Sequence, residues 1–231
     1  MFPRQRGWLA LERDSKSRGG AEGPLRRRRC ACLIVKYCGM QRKEDIEAVN
    51  RVRPDLVGFI LVPGRRRYVA PETIQELRRV LLPEIKAVGV FIDEDIRVVQ
   101  DLLSRGIIDI AQLHGNESDA YIRELKRATG AKVIKAFGVR DQGDLLKVET
   151  CEADLVLLDS PGGGTGETFG WRCLKDVKRP YILAGGLNTE NIEEAVRMLH
   201  PFGVDVSSGI ETDGKKDEEK MRSFMELLRK G

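Results

Sequence analysis

Short runs of β-branched and apolar residues recur along the chain from residue 32 onward, and each is followed by a longer stretch with apolar residues at helical spacing. Apolar runs of this length are typical of buried strands, whereas apolar residues three and four positions apart indicate one face of a helix. Eight strands are predicted, at residues 33–38, 55–60, 86–92, 109–113, 132–137, 154–159, 181–184 and 203–206. The pattern is therefore that of consecutive strand–helix units.

The spacing of the strands favours one of two α/β architectures. Consecutive strand ends lie 21 to 32 residues apart, with no large insertion between them. Helices are predicted in the intervals, at residues 44–53, 73–82, 96–104, 121–129, 191–199 and 218–229. A doubly wound open sheet would also alternate strand and helix, but eight evenly spaced units favour closure into a single (β/α)8 TIM barrel over residues 32–231.

Residues 1–31 differ from the rest of the chain in charge. They hold nine Lys and Arg against three Asp and Glu, a net of +6, so the whole-chain charge of +4 leaves −2 for residues 32–231. Gly-Gly and Gly-Pro pairs and the lack of apolar periodicity predict a disordered, basic N-terminal extension. Such a segment is either a misassigned start of the reading frame or a basic arm for nucleic acid, and the acidic body disfavours a nucleic-acid partner.

Composition excludes several classes of protein. No apolar stretch approaches the ~20 residues needed to span a bilayer. The six residues from Cys30 to Val35 are also too few for the apolar region of a secretory signal. Five cysteines without a Cys-x-x-Cys pair favour reduced thiols over a disulfide or zinc framework. We therefore expect a cytoplasmic protein with no membrane partner.

Two glycine-rich turns follow the last two predicted strands. Gly185 and Gly186 come after strand seven, and Ser207, Ser208 and Gly209 come after strand eight. In a barrel of this kind the site lies at the carboxyl ends of the strands, and a phosphate is often held after strands seven and eight, where glycines let the backbone approach the ligand. The turns predict a phosphorylated small-molecule substrate; tight turns without a ligand are the alternative.

Two side chains at predicted strand ends suit proton transfer. Lys36 and Cys38 are two positions apart and share a face of strand one, so the ammonium would favour the thiolate, lower the thiol pKa and let Cys38 act as a base. Asp159 ends an apolar strand, where partial burial would raise its pKa and let it donate a proton. The alternatives are an inert core cysteine and an aspartate that caps the next turn.

Arginines and a histidine complete the set of candidate residues. Arg65, Arg66 and Arg67 lie in the loop after strand two, where a guanidinium can bind a carboxylate through two parallel hydrogen bonds, although at least one of the three is expected to be solvated. His114 follows strand four and has no partner at metal-ligand spacing. No metal site is predicted.

The same strand ends carry an ordered set of motifs that resembles a known family. The motifs are Lys36-Tyr37-Cys38-Gly39, Arg67-Tyr68-Val69, Val88-Gly89-Val90-Phe91, Gln112-Leu113-His114-Gly115, Leu157-Leu158-Asp159, Gly163 to Gly166 with Thr168-Phe169, Ala184-Gly185-Gly186-Leu187-Asn188 and Asp205-Val206-Ser207-Ser208-Gly209-Ile210-Glu211. Together, from about residue 33 to the C-terminus, they resemble phosphoribosylanthranilate isomerase of tryptophan biosynthesis.

The resemblance implies a reaction and roles for residues. The family performs an Amadori rearrangement without a cofactor, converting N-(5-phosphoribosyl)anthranilate to 1-(2-carboxyphenylamino)-1-deoxyribulose 5-phosphate. It implies that Asp159 is the general acid, that Cys38 is the general base and that Arg67 holds the anthranilate carboxylate. It further places the phosphate at Gly186, Ser208 and Gly209, and lines the pocket with Asp205 and His114.

The chain departs from the family pattern at three points. Arg65 and Arg66 stand where the family often has Ser-Pro, Gly170 stands where an Asp is usual, and the extension has no counterpart. The competing interpretation is another phosphosugar isomerase or epimerase on the same barrel. Histidine-pathway isomerases use two catalytic aspartates, however, whereas strand one here offers Cys38. A monomer or a homodimer is expected.

Overall fold

A computed structural model of the protein describes residues 33–139, 142–159, 171 and 174–230. Eight parallel strands form a closed barrel in chain order, with the last strand paired to the first. The strands are β1 (Ile34–Cys38), β2 (Leu56–Ile60), β3 (Lys86–Phe91), β4 (Ile110–Leu113), β5 (Lys132–Gly138), β6 (Leu155–Asp159), β7 (Tyr181–Ala184) and β8 (Gly203–Val206). The predicted closed barrel is confirmed, and the open sheet is excluded. The extension and the glycine-rich stretch at 163–166 lie outside the described residues.

Helices follow the strands along the described chain. They are α1 (Lys43–Val52), α2 (Pro71–Val80), α3 (Ile96–Ser104), α4 (Asp119–Thr129), α5 (Gln142–Thr150), α6 (Ile192–Leu199) and α7 (Glu218–Lys230). The sequence pattern does not predict α5. Leu146 in this helix is 71% exposed while Val148 is buried, so the helix lacks the wide apolar stripe that makes its neighbours recognisable. None of the described helices is long and apolar enough to cross a membrane.

The barrel closes between its first and last units. The Tyr37 hydroxyl on β1 donates a 2.7 Å hydrogen bond to the carbonyl of Met221 on α7. The Tyr37 ring also meets Phe224 edge to face, with 6.2 Å between ring centroids. All three side chains are buried, so the C-terminal helix covers the seam where β1 pairs with β8.

A repeated aspartate motif ties strands together at the amino-terminal face of the barrel. Asp55, Asp109 and Asp154 each precede an even-numbered strand. Each carboxylate accepts a hydrogen bond of 2.7 to 2.9 Å from the backbone N–H of the second residue of the preceding odd-numbered strand. Each aspartate N–H donates to the carbonyl of that same residue at 2.8 to 3.0 Å. We call these contacts the aspartate clasps; they satisfy backbone groups where the strands begin.

A small hairpin follows β8 at the opposite, carboxyl-terminal face. A 3-10 turn over Ser208–Ile210 leads into β9 (Glu211–Thr212), which pairs antiparallel with β10 (Lys215–Lys216). In this pairing Glu211 lies opposite Lys216. The hairpin therefore adds charged side chains to the face where the candidate residues lie.

Candidate active site

The strand register brings the candidate acid and base to one mouth of the barrel. Side chains alternate along a strand, and neighbours in register share a face. Lys36 is in register with Asp205, and Cys38 with Gly58. Asp159 ends β6 in register with Ala184. These positions form one inward-facing set at the carboxyl ends of the strands, as predicted.

Cys38 lies buried beside an ammonium, but its thiol is not activated in the way the sequence predicts. Burial raises the thiol pKa above its ordinary value, and this outweighs the attraction of the thiolate to the Lys36 and Lys216 cations; the Asp205 charge raises the pKa further. The predicted lowering of the thiol pKa is therefore wrong. Lys36 does lie beside the thiol, but a carboxylate and a desolvated site oppose its effect.

Gly58 makes room for this pair and was missed by the sequence analysis. A Cβ at this position would lie 2.7 Å from the Cys38 Sγ and 3.0 Å from the Lys36 Nζ. Any other residue would push the thiol or the ammonium aside. A glycine inside a predicted strand, next to a strand that ends in a candidate base, is the signal that could have revealed it.

Lys36 and Asp205 form the central ion pair of the site. The Lys36 side chain is fully buried, and its Nζ lies 3.0 Å from the Asp205 Oδ1. Burial acts to lower the lysine pKa, but the Asp205 carboxylate and Cys38 raise it more, so Lys36 remains a cation. The Asp205 charge also acts on Asp159 and His114. Since the Asp205 charge acts on Cys38 as well, Asp205 couples the candidate base Cys38 and the candidate acid Asp159 electrostatically.

Asp159 has the environment expected of a proton donor. Burial raises the pKa of its carboxyl, partly offset by His114, while Asp205 raises it further. The His114 Nε2 lies 3.8 Å from the Asp159 Oδ2, and burial lowers the histidine pKa. The predicted rise in the Asp159 pKa is confirmed. His114 lies directly beside the acid, which the sequence alone did not show.

The two glycine-rich turns pack against each other. Gly185 and Gly186 have φ values of +92° and +58°, which favour glycine. A Cβ on Gly209 would lie 2.0 Å from the Leu187 carbonyl oxygen, so only glycine permits this approach. The 3-10 turn over Ser208–Ile210 begins here, and the first N–H groups of a helical turn have no partner within it. The turns therefore offer backbone donors at adjacent strand ends.

The arginine loop reaches the same mouth through Arg67. Its side chain covers Gly39, where a Cβ would lie 2.6 Å from the Arg67 Cδ and 3.3 Å from the Ser207 Oγ. The Arg66 side chain is 58% exposed, against 21% for Arg67. Among the three arginines, Arg67 is the one that packs beside Cys38.

The Arg67 guanidinium already contacts a carboxylate of the protein. Glu211 accepts from the Arg67 Nε at 2.7 Å and from its Nη2 at 2.9 Å. Burial acts to raise the Glu211 pKa, but the hydrogen bonds from Arg67, Lys216 and Arg66 lower it to about 2. Glu211 and Lys216 are site residues that the sequence analysis did not assign, although Glu211 lies within one of the motifs.

Gln112 is a further polar side chain inside the barrel. It lies on β4 in register with Val90 and Ile134 and is 2% exposed. Among the described residues, no group hydrogen-bonds its Oε1 atom. The described residues also contain no cluster of three or more His, Cys, Asp or Glu side chains arranged to hold a metal ion.

Comparison with known proteins identifies the family. A family model described as N-(5'phosphoribosyl)anthranilate (PRA) isomerase matches residues 35–227. The N-(5'-phosphoribosyl)anthranilate isomerase of Clostridium acetobutylicum is 44% identical over 204 residues, which cover 85% of this chain and 98% of that protein. The chain belongs to the N-(5'-phosphoribosyl)anthranilate isomerase family.

Solved structures agree with this assignment. The crystal structure of phosphoribosyl anthranilate isomerase from Thermotoga maritima is similar, with a TM-score of 0.78 and 34% identity over 86% of this chain and 99% of that one. Another similar structure is the isomerase in complex with reduced 1-(o-carboxyphenylamino)-1-deoxyribulose 5-phosphate, with a TM-score of 0.75, 33% identity and coverage of 86% and 99%. The protein is therefore an isomerase of tryptophan biosynthesis, and the resemblance seen in the motifs is confirmed.

Proposed function

We propose that this isomerase uses Asp159 as general acid and Cys38 as general base in the Amadori rearrangement of N-(5'-phosphoribosyl)anthranilate. One observation carries the proposal. Both side chains end inward-facing strands at the same mouth, and the Asp205 charge acts on both. A reaction that moves two protons within one substrate needs a donor and an acceptor at one site.

The first step needs a protonated carboxyl. Asp159 donates its proton to the ring oxygen of the ribose while the anthranilate nitrogen shares its electron pair with C1, so the ring C–O bond breaks and an iminium ion forms. A carboxyl with a raised pKa keeps its proton over a wider pH range than an ordinary aspartate. His114, beside the acid, has a lowered pKa and so favours its neutral form near pH 7.

The second step needs a thiolate. Cys38 accepts the proton from C2, the electron pair of that C–H bond forms the C1–C2 double bond, and the nitrogen regains its electron pair, giving the enolamine. Because burial raises the thiol pKa, only a small fraction of the enzyme carries the thiolate at neutral pH, but that thiolate is a stronger base than an ordinary one. Lys36 and Lys216 provide the nearby positive charge.

The phosphate and the carboxylate, at the two ends of the substrate, are bound by different groups around Cys38 and Asp159. The phosphate is held by Gly185, Gly186, Ser207, Ser208 and Gly209, whose turns meet where Gly209 packs on Leu187. Arg67 binds the anthranilate carboxylate, supported by its position over Gly39, next to Cys38. Asp205 and His114 line the pocket between them. A cytoplasmic location and a monomer or homodimer stay predictions.

The assay for this function follows the fluorescence of phosphoribosylanthranilate, generated fresh from anthranilate and phosphoribosyl pyrophosphate. We expect the wild-type protein to consume it and Cys38→Ala to leave it essentially unchanged. Turnover of a histidine-pathway aminoaldose but not of this compound would instead support the competing phosphosugar isomerase.

A further inference from the structure

Glu211 forms ion pairs with three cationic side chains at the barrel mouth. Its carboxylate accepts four hydrogen bonds: two from Arg67, one from the Arg66 Nη2 at 2.8 Å and one from the Lys216 Nζ at 2.8 Å. The Glu211 side chain is 6% exposed. We call Glu211 and its three partners the Glu211 cluster. Without the carboxylate, Arg66, Arg67 and Lys216 would lose their shared acceptor, and the side chains of Arg67 and Lys216 are largely buried.

Lys216 fixes the hairpin to the strand that carries Asp205. Its side chain is 2% exposed, and its Nζ donates to the Ser207 carbonyl at 2.8 Å as well as to Glu211. The Ser207 hydroxyl in turn donates to the Cys38 carbonyl at 3.1 Å. The cluster is therefore tied to the strand end that carries the candidate base.

The contacts of Arg67 leave one edge of its guanidinium available. Glu211 occupies the edge formed by Nε and Nη2. A guanidinium has five N–H donors, four of which form two edges, and among the described residues no hydrogen-bond acceptor contacts the Arg67 Nη1. The second edge, formed by Nη1 and Nη2, can therefore bind an external carboxylate through two parallel bonds.

We propose that Glu211 and Lys216 are positioning residues that hold Arg67 with one edge engaged and the other presented to the carboxylate of the substrate. This inference rests on the proposed role of Arg67. Glu211 stays in place when substrate binds, because four hydrogen bonds and burial hold it. It determines carboxylate recognition without touching the substrate.

Two ligands separate positioning from general structural support. One is reduced 1-(o-carboxyphenylamino)-1-deoxyribulose 5-phosphate, and the other is the same compound made with aniline, which lacks only the carboxylate. Calorimetry on the full chain gives the affinity for each. We expect Glu211→Gln to weaken binding of the carboxylated ligand about tenfold, because a charge-assisted support of Arg67 is lost, and to leave binding of the aniline compound unchanged.

The matched control is Glu218→Gln. Glu218 also binds an arginine through two hydrogen bonds, from the Arg51 Nε at 2.9 Å and Nη2 at 2.6 Å, but this pair lies on the exposed helical surface. We expect no change with either ligand. If Glu211→Gln does not fold, Lys216→Met carries the same test, with a smaller loss expected for the carboxylated ligand only.

A double-mutant cycle tests whether Glu211 affects carboxylate binding through Arg67. In an Arg67→Ala background, adding Glu211→Gln should cause no further loss of affinity for the carboxylated ligand. A further tenfold loss would overturn the proposal, as would equal losses for the two ligands. Tighter binding of the carboxylated ligand by Glu211→Gln would show that Glu211 competes with substrate, which also overturns it.

The outcomes separate this inference from the proposed function. If the wild-type protein does not prefer the carboxylated ligand, the proposed carboxylate site fails. If the wild-type protein prefers it and Glu211→Gln keeps the full preference, only the positioning role fails.

Discussion

The clasp aspartates at one end of the barrel and Asp159 at the other hold their carboxyl groups in different surroundings. At the amino-terminal face, the clasp aspartates accept backbone hydrogen bonds, and Asp109 and Asp154 also bind the side chains of Arg78 and Lys132. At the carboxyl-terminal face, Asp159 has the His114 Nε2 3.8 Å from its Oδ2 and a raised pKa. A carboxylate held by hydrogen bonds stabilises the strands that it joins, whereas a carboxyl with a raised pKa is suited to exchange a proton.

The two faces also differ in how regularly their side chains repeat. The clasps recur with the same geometry at three strand pairs. In the fourth pair, β7 and β8, Phe202 takes the place of the aspartate: its N–H donates to the Tyr181 carbonyl, but its side chain has no acceptor atom. At the other face, the described strand ends carry different side chains, among them Cys38 on β1, His114 after β4 and Asp159 on β6. Variants at the two faces should therefore separate stability from turnover.

The largest expected effect is on turnover at the carboxyl-terminal face. Cys38→Ala and Asp159→Asn should each lower kcat by ~100-fold or more, since each removes a positioned base or acid, with little change in ligand affinity or melting temperature. Cys38→Ser should be nearly as impaired as Cys38→Ala, because a hydroxyl does not ionise readily. Near wild-type kcat for Cys38→Ser, measured in the fluorescence assay, would return Cys38 to the role of a small core residue.

The pH dependence of kcat/KM should sharpen the assignment of acid and base. The Asp159 pKa, raised from 3.8, still lies below the Cys38 pKa, raised from 9.0, so the active form with carboxyl protonated and thiol ionised is a minor one. As pH rises between the two values, the gain in thiolate is offset by the loss of protonated carboxyl. The wild-type profile should therefore be flat between the two values and fall on both sides, below the Asp159 pKa and above the thiol pKa.

Removing the acid should expose the titration of the base. In Asp159→Asn the residual kcat/KM should rise about tenfold per pH unit up to the thiol pKa, because only the thiolate still titrates. Expressing the result as a ratio to wild type cancels the titration of the substrate phosphate. A ratio that does not change with pH would remove Cys38 from the role of base.

At the amino-terminal face the expected effect is on stability alone. Asp109→Ala leaves the Ala87 N–H and the Arg78 guanidinium without their acceptor, so we expect the free energy of unfolding to fall by about 2 kcal/mol, with kcat within about twofold of wild type. Denaturant titration measures the free energy of unfolding. The control is Asp101→Ala, which breaks an exposed pair with Arg105 and should cost less than about 0.5 kcal/mol. A large loss of kcat in Asp109→Ala would contradict the separation of the two faces.

The smallest expected effect belongs to residues 1–31. A chain that begins at Ala31 should keep its melting temperature and kcat, because β1 starts only at Ile34. Full-length protein should also show no salt-dependent binding to duplex DNA. A marked drop in melting temperature on shortening, or binding that disappears with the segment, would give the extension a role.

The strands, their order and the family of this protein follow from its sequence. Apolar periodicity is a local property, so it predicted all eight strands and the end of the barrel at which Cys38 and Asp159 lie. It failed for α5, where Leu146 faces solvent and the apolar stripe is too narrow. The motifs at strand ends were sufficient to predict the family.

The electrostatics of the site depend on contacts between distant parts of the chain. Lys36 and Asp205 are 169 positions apart in the chain, and Arg67 and Glu211 are 144 apart, so no local pattern shows that they pair. The direction of the Cys38 pKa depended on whether burial or the Lys36 charge is the larger effect, and burial is set by every element around the barrel. A pKa reflects the whole three-dimensional surroundings of a group, whereas a sequence pattern fixes only its place on a strand.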